Sequence, residues 1–348
     1  DHAEFIEEQV MVIRQQLSSK LLRKLPCLKK TGELRVLSIC ADYLEHVDGL
    51  FDEDSLAAYI NSYQEVLILS IAEVWSIPLI MRVALIRRLA AIMELVRDRR
   101  EACELVERML AGIEPAKLGP ELLNQALEQA SRDIPLSGPL LVHLISHLRE
   151  WADDSVTVRE WLLCKLENGP DSLEQIVSYE FQLQAAYQVT AGNIISSMRD
   201  ISRLQWHEHF EAICIVEQTL RQESAGTYPL LDFSSRDILR RQVEKLARRL
   251  GVPENLVAEQ AVDLAAKVCE QYKQEHVELD GVLPRQAFVP YYLLEPDGIV
   301  QLRKALKTCS SPRYLPEISI AHRVTGTYFT LLAGLFFAVL AVFSWWIG

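Results

Sequence analysis

Residues 324–348 read Val-Thr-Gly-Thr-Tyr-Phe-Thr-Leu-Leu-Ala-Gly-Leu-Phe-Phe-Ala-Val-Leu-Ala-Val-Phe-Ser-Trp-Trp-Ile-Gly and carry no formal charge. At an α-helical rise of about 1.5 Å per residue, roughly 20 such residues cross a hydrocarbon core of about 30 Å. The run therefore predicts a transmembrane helix over 324–348. Tyr328 at one end, and Trp345 and Trp346 at the other, suit an aromatic belt at each membrane interface, with Arg323 at the boundary. The competing explanation is a buried core helix, but no other stretch of that length lacks charge. Two readings of the run follow: a tail anchor on a helical domain, or the first span of a longer polytopic protein.

The flank of the run sets an expected orientation. Arg303, Lys304, Lys307, Arg313 and Arg323 precede it, and Glu317 is the one acid after Asp297. Lys and Arg beside a span stay cytoplasmic, which puts the preceding domain on that side. The seven cysteines agree: they are odd in number, scattered and without a C-x-x-C, as expected of reduced cytosolic thiols. No charged-then-apolar signal segment opens the chain, and Asp1 in place of Met reads as a trimmed start. A net charge of −12 argues against nucleic acid, whose binding draws on basic surfaces that neutralise phosphates.

Ahead of the run the dominant period is helical. Phe5, Ile6, Val10, Ile13, Leu17 and Leu21 fall at spacings of one, three and four, and the pattern recurs through nearly every later segment. Breaks at 26–32, 46–54, 112–120, 134–139, 168–171, 224–235, 251–254 and 278–290 divide it into short-looped helices. The expected fold is all-α, an irregular multi-helix bundle with a C-terminal transmembrane helix. Its divisions are a helical subdomain over 1–134, a second over 135–310, a juxtamembrane linker over 311–323 and the span over 324–348. The second subdomain holds a basic helix over 235–250. It also holds a short extended piece over 288–294, β-branched and aromatic, closed by a Pro296-Asp297-Gly298 turn.

Sites for chemistry are sparse. Asp52-Glu53-Asp54 is a D-x-D, but it leads straight into a helix, where acids favour the positive end of the macrodipole, so it reads as a cap. His143 and His147 share one helical face without a third ligand at useful spacing. Trp206-His-Glu-His209 places its histidines two apart and does not match H-E-x-x-H, reading as a solvated edge beside a packed Trp206. Trp75-Ser-Ile-Pro78 reads as a buried aromatic followed by a proline that kinks or restarts its helix. No metal set and no cofactor motif is present in the sequence. The richest constellation runs from Thr227 to Arg249, where an apolar loop feeds a helix expected to be capped by Ser234 with Asp237. Asp232, Phe233, Arg236, Asp237 and Arg240 are the candidate interaction residues there. The competing reading is a solvated helix with local ion pairs such as Arg240 to Glu244.

At this segment the chain resembles the amino-terminal helical region of bacterial cyclic β-1,2-glucan synthases. The likeness is carried by Tyr228 through Asp237, by Asn193-Ile-Ile-Ser-Ser-Met-Arg-Asp-Ile-Ser202 and by Trp206. Glu7 through Leu17, Tyr63 through Pro78 with Arg82, and Tyr291 through Gly298 follow in the same order. The resemblance implies a large polytopic inner-membrane enzyme that builds a β-1,2-glucan from UDP-glucose, with its catalytic domains elsewhere. This chain holds no strand-borne D-x-D and no Q-x-x-R-W. The reading adopted is a noncatalytic cytoplasmic scaffold that packs against the transferase domain of the same longer polypeptide and is anchored at the membrane. The alternatives are a tail-anchored helical adaptor that binds other proteins, or an enzyme centred on Asp52, His143 and His147.

Overall fold

The structure, a computed structural model, describes residues 2–111, 120–130, 138–150, 169–275, 283–309 and 318–320. The predicted span over 324–348, with Arg323, Tyr328, Trp345 and Trp346, lies outside the described residues. Among those that are described, no helix is long and apolar enough to cross a membrane.

The fold is all-α apart from one small ladder. α1 (His2–Gln16) buries Ile6, Val10 and Ile13, the residues its period singles out, and Leu17 follows them into the core. After α2 (Ser19–Leu22) comes β1 (Pro26–Leu28), which pairs antiparallel with β2 (Ile318–Ile320), Pro26 opposite Ile320. Helical periodicity gave no sign of this pair, because three residues are too few to display an alternation.

α3 (Arg35–His46) and α4 (Glu53–Gln64) precede α5 (Ile71–Leu110), whose 40 residues form the longest helix described. α3 lies along α5, and α6 (Pro120–Ala130), α7 (Gly138–Glu150) and α8 (Gly169–Arg203) also pack against it. α9 (Trp206–Ile213), α10 (Ile215–Leu220), α11 (Phe233–Leu250) and α12 (Glu254–Glu275) follow, then α13 (Val289–Leu294) and α14 (Pro296–Cys309). One cluster of buried apolar side chains runs from Ile6 in α1 through α3, α5 and α8 to Leu306 in α14.

Asp52 is a cap, as its position before an apolar helix implies: its carboxylate accepts from Ser55 N–H at 2.8 Å at the start of α4. α5 begins with a capping box, Ser70 with Glu73, in which each side chain satisfies a backbone N–H of the other. Glu73 also binds Arg35 of α3, whose Nε donates to it at 2.7 Å, with Arg35 3% and Glu73 0% exposed. The start of α5 and the flank of α3 are thereby joined through one buried carboxylate. The described cysteines are free thiols, and burial pushes that of Cys214 up to about 12, well away from thiolate reactivity.

Three expectations need correction. Of residues 288–294, expected to be extended, Phe288 alone is so, at the N-cap, and 289–294 form the short helix α13. Its buried residues are Val289, Tyr292 and Leu293, spaced three and four apart, and that helical burial outweighs the β preference of Val and Tyr. Pro296-Asp297-Gly298 is the first turn of α14, where proline at N1 is pre-organised for helix. Gly298 is there for closeness: a Cβ on it would sit 2.2 Å from the Tyr291 carbonyl oxygen. The basic helix starts at Phe233 with Asp232 at its N-cap, not at Ser234.

Candidate functional site

Tyr228 through Asp237, one of the segments that carry the resemblance, joins a buried polar assembly. α10 buries Val216 and Leu220 together with Glu217, which is wholly buried, as is Arg240 of α11. Arg240 Nη1 donates to Glu217 Oε2 at 2.7 Å, and the Tyr228 hydroxyl donates to the same oxygen at 2.8 Å. Oε1 accepts from Arg221 Nε at 2.9 Å and has Arg236 Nε at 3.5 Å. Arg236 continues the network to Glu211 of α9 at 2.7 Å and to the carbonyl of Leu231 at 3.0 Å. Asp237 lies 3.7 Å from Arg240 and 2.7 Å from Arg241. Arg221, Arg236 and Arg240 thus face the carboxylates of Glu211, Glu217 and Asp237, so the cluster is close to neutral.

Aromatic rings close it off. The Arg240 guanidinium lies 5.1 Å from the Phe210 ring centroid and 4.8 Å from that of Phe233, within cation–π range of both. Phe210 stacks on Trp75 of α5 at 4.3 Å, and Phe233 meets Trp75 edge-on at 6.1 Å. Burial, followed by the Glu217 charge and hydrogen bond, pushes the Tyr228 hydroxyl far above its usual range, so it stays a donor.

Two further joints use the same logic. Pro78 lies inside α5 and has no N–H, which removes the helical donor that Val74 O, four residues earlier, would otherwise receive. The Trp206 indole Nε1 donates to that oxygen at 3.1 Å. The Trp75-Ser-Ile-Pro78 stretch and Trp206, both prominent in the sequence, are two halves of one contact. Glu223, 5% exposed, accepts from Thr227 N and Tyr228 N at 2.9 and 2.7 Å and from Val289 N at 2.6 Å, tying the Tyr228 turn to the start of α13.

The Asn193–Ser202 stretch serves the loop after α3. Asp48 and Gly49 both take left-handed φ, and a Cβ on Gly49 would meet Ile194 at 3.0 Å. Asn193 Nδ2 donates to Asp48 O at 3.1 Å, Ser197 Oγ to Gly49 O at 2.8 Å, and Phe51 N–H to Ser197 Oγ at 2.7 Å. Residues 190, 193 and 197 share a helical face, and all three side chains hold this one loop, Thr190 through Asp48 Oδ1 at 2.7 Å.

Of the candidate interaction residues, the structure brings Phe233, Arg236, Asp237 and Arg240 together and leaves Asp232 exposed at the N-cap. Arg240 is interior and pairs with Glu217; the expected local pair to Glu244 is not made, since Glu244 instead takes Lys24 at 2.7 Å together with Arg248. Glu217, wholly buried, accepts three hydrogen bonds, from Arg221, Tyr228 and Arg240. His143 and His147 both lie on α7, on a different element from Asp52, and among the described residues no group of three His, Cys, Asp or Glu is placed to hold a metal ion. Trp206 is packed at the start of α9, with His209 at its edge 2.8 Å from Glu53. Sequence reading passed over Glu73, Glu211, Glu217 and Glu223. The signal available was an acid inside an apolar helical run, Ile215-Val-Glu217 and Ile71-Ala-Glu73.

No protein-family model matches the chain. Over 271 residues, 76% of its length, it is 30% identical to the cyclic beta-(1,2)-glucan synthase NdvB of Rhizobium meliloti (strain 1021), and that match spans 9% of the synthase. The chain is a distant homologue of one region of cyclic β-(1,2)-glucan synthase.

Proposed function

We propose that this chain is the noncatalytic cytoplasmic scaffold of a membrane-bound cyclic β-1,2-glucan synthase, preceding the first membrane span, with polymerisation from UDP-glucose performed by domains beyond it. The observation that carries the reading is what residues of the resembling segments do: Trp75, Pro78, Asn193, Ser197, Trp206 and Tyr228 are spent on joints between helices, Tyr228 through Glu217. A catalytic carboxylate must face substrate, whereas Glu217 is wholly buried and accepts hydrogen bonds from Arg221, Tyr228 and Arg240. The exposed rim beside the cluster, with Leu230 84% and Ile238 54% exposed next to Asp232, is the surface we assign to the transferase domain.

The test is glucose incorporation from labelled UDP-glucose into glucan by membranes. Membranes holding this chain alone should incorporate nothing, while those holding the complete polypeptide should. Ile238→Glu in the complete polypeptide should lower incorporation at an unchanged protein level. Incorporation by the chain alone would overturn the reading.

A further inference from the structure

The chain carries a net charge of −12, yet between Lys20 and Lys30 it places five cations and no acid. Lys20, Arg23, Lys29 and Lys30 are exposed. The fold brings this stretch to a second basic surface: Lys24 reaches Glu244 at 2.7 Å, setting it beside the latter half of α11, where Lys245, Arg248 and Arg249 are exposed. Two described acids beside these cations are engaged. Glu244 is shared by Lys24 and Arg248, and Glu33 pairs with Arg87 at 2.6 Å. The exposed Lys20, Arg23, Lys30, Lys245 and Arg249 outnumber these two acids.

The β1–β2 ladder adds the second, independent observation. Pro26, at the centre of the first basic stretch, pairs with Ile320, and only Ala321, His322 and Arg323 separate Ile320 from the uncharged run at 324. At no more than about 3.6 Å per residue the chain reaches that run within about 14 Å of Ile320. An acidic chain thus gathers exposed cations around Pro26, whose partner Ile320 lies three residues in sequence from the uncharged run. Each Lys or Arg held near an anionic bilayer contributes about 1 kcal/mol, within a Debye length of roughly 8–10 Å.

We infer that the face formed by residues 20–30 and the latter half of α11 lies against a bilayer surface rich in anionic headgroups. The inference rests on the reading that 324–348 spans that bilayer, and it adds which face of the domain is turned to it.

The test uses the full chain reconstituted into vesicles of phosphatidylcholine alone or with about 30% phosphatidylglycerol, and reads lysine acetylation by mass spectrometry. Lys29, Lys30 and Lys245 should react at least about fivefold more slowly in the anionic vesicles, the equivalent of ~1 kcal/mol per cation. Lys273 should not change, since it lies about 28 Å along α12 from Glu254 at 1.5 Å per residue. Lys29→Glu with Lys30→Glu, both exposed positions, should abolish the protection of Lys245. Equal rates in the two vesicles, with the chain resisting alkaline extraction, would overturn the inference and leave the spanning reading intact; an acidic protein surface would then be the partner. Protection in anionic vesicles from which alkali extracts the chain would uphold the basic face and overturn the span.

Discussion

Replacing Trp206 with Phe isolates a single buried contact. The indole Nε1 donates at 3.1 Å to Val74 O, the carbonyl whose helical donor is missing because residue 78 is proline. Trp206 is 9% exposed, so water has little access to replace it. An unsatisfied buried carbonyl costs about 1–3 kcal/mol, and the smaller ring adds a packing loss of about 1 kcal/mol, giving a total near 2–4 kcal/mol. The packing part is removed by a double-mutant cycle with Pro78→Ala. That substitution restores an N–H to Val74 O, so in its background the Trp206→Phe change should cost only its packing share. The coupling should be about 1–3 kcal/mol, above the roughly 0.3–0.5 kcal/mol within which independent sites add. Urea unfolding of the chain in mild detergent, followed by far-UV circular dichroism, measures all four corners. A Trp206→Phe cost that is the same in the parent and in the Pro78→Ala background would refute the reasoning.

Other expectations follow from the same contacts. Glu254, in the first turn of α12, accepts from Ile71 N–H at 2.7 Å, yet burial raises its carboxyl from 4.5 to about 7, with Glu244 and Glu73 adding repulsion. A raised folded-state value makes the stabilising contribution complete below about 4.5 and lost as pH rises through about 7. At 1.36 kcal/mol per pH unit this amounts to at most roughly 3 kcal/mol. Glu254→Gln keeps an oxygen for Ile71, so it should match the parent near pH 5 and exceed it in stability at pH 8 by thermal unfolding. Arg240→Ala strands the buried Glu217 carboxylate and should destabilise by about 3–5 kcal/mol, while Arg241→Ala, 75% exposed, should change stability by less than about 1 kcal/mol; urea midpoints compare the two. Gly298→Ala places a Cβ against Tyr291 O, forcing α13 and α14 apart at a cost of about 1–3 kcal/mol or more, read as a lowered unfolding midpoint.

The all-helical class was legible because burial follows the 3.6-residue period, as Ile6, Val10 and Ile13 illustrate. The cap at Asp52 was legible because capping is a local contact. Extended structure over 288–294 was misread because β-branched and aromatic content was weighed above the three-and-four spacing of Val289, Tyr292 and Leu293. The Arg240 pairing was misread for a different reason: i,i+4 rules see only one helix, and Glu217 lies 23 residues away. Basic composition made α11 look solvated, whereas two of its arginines are enclosed by aromatics and acids contributed by other elements. The partnership of Pro78 with Trp206 spans 128 residues of sequence, and either residue alone explains little. Homology pointed to these positions; the structure supplies what they do.

The central claim is that Tyr228 and its buried partner Glu217 build the domain and take no part in sugar transfer. Its most direct test is Tyr228→Phe and Glu217→Gln in the complete polypeptide, measured as glucan synthesis per folded molecule across UDP-glucose concentrations. The account predicts that lost activity tracks lost folded protein, with kcat and KM for the donor unchanged. A tenfold or greater fall in kcat in fully folded protein would contradict it.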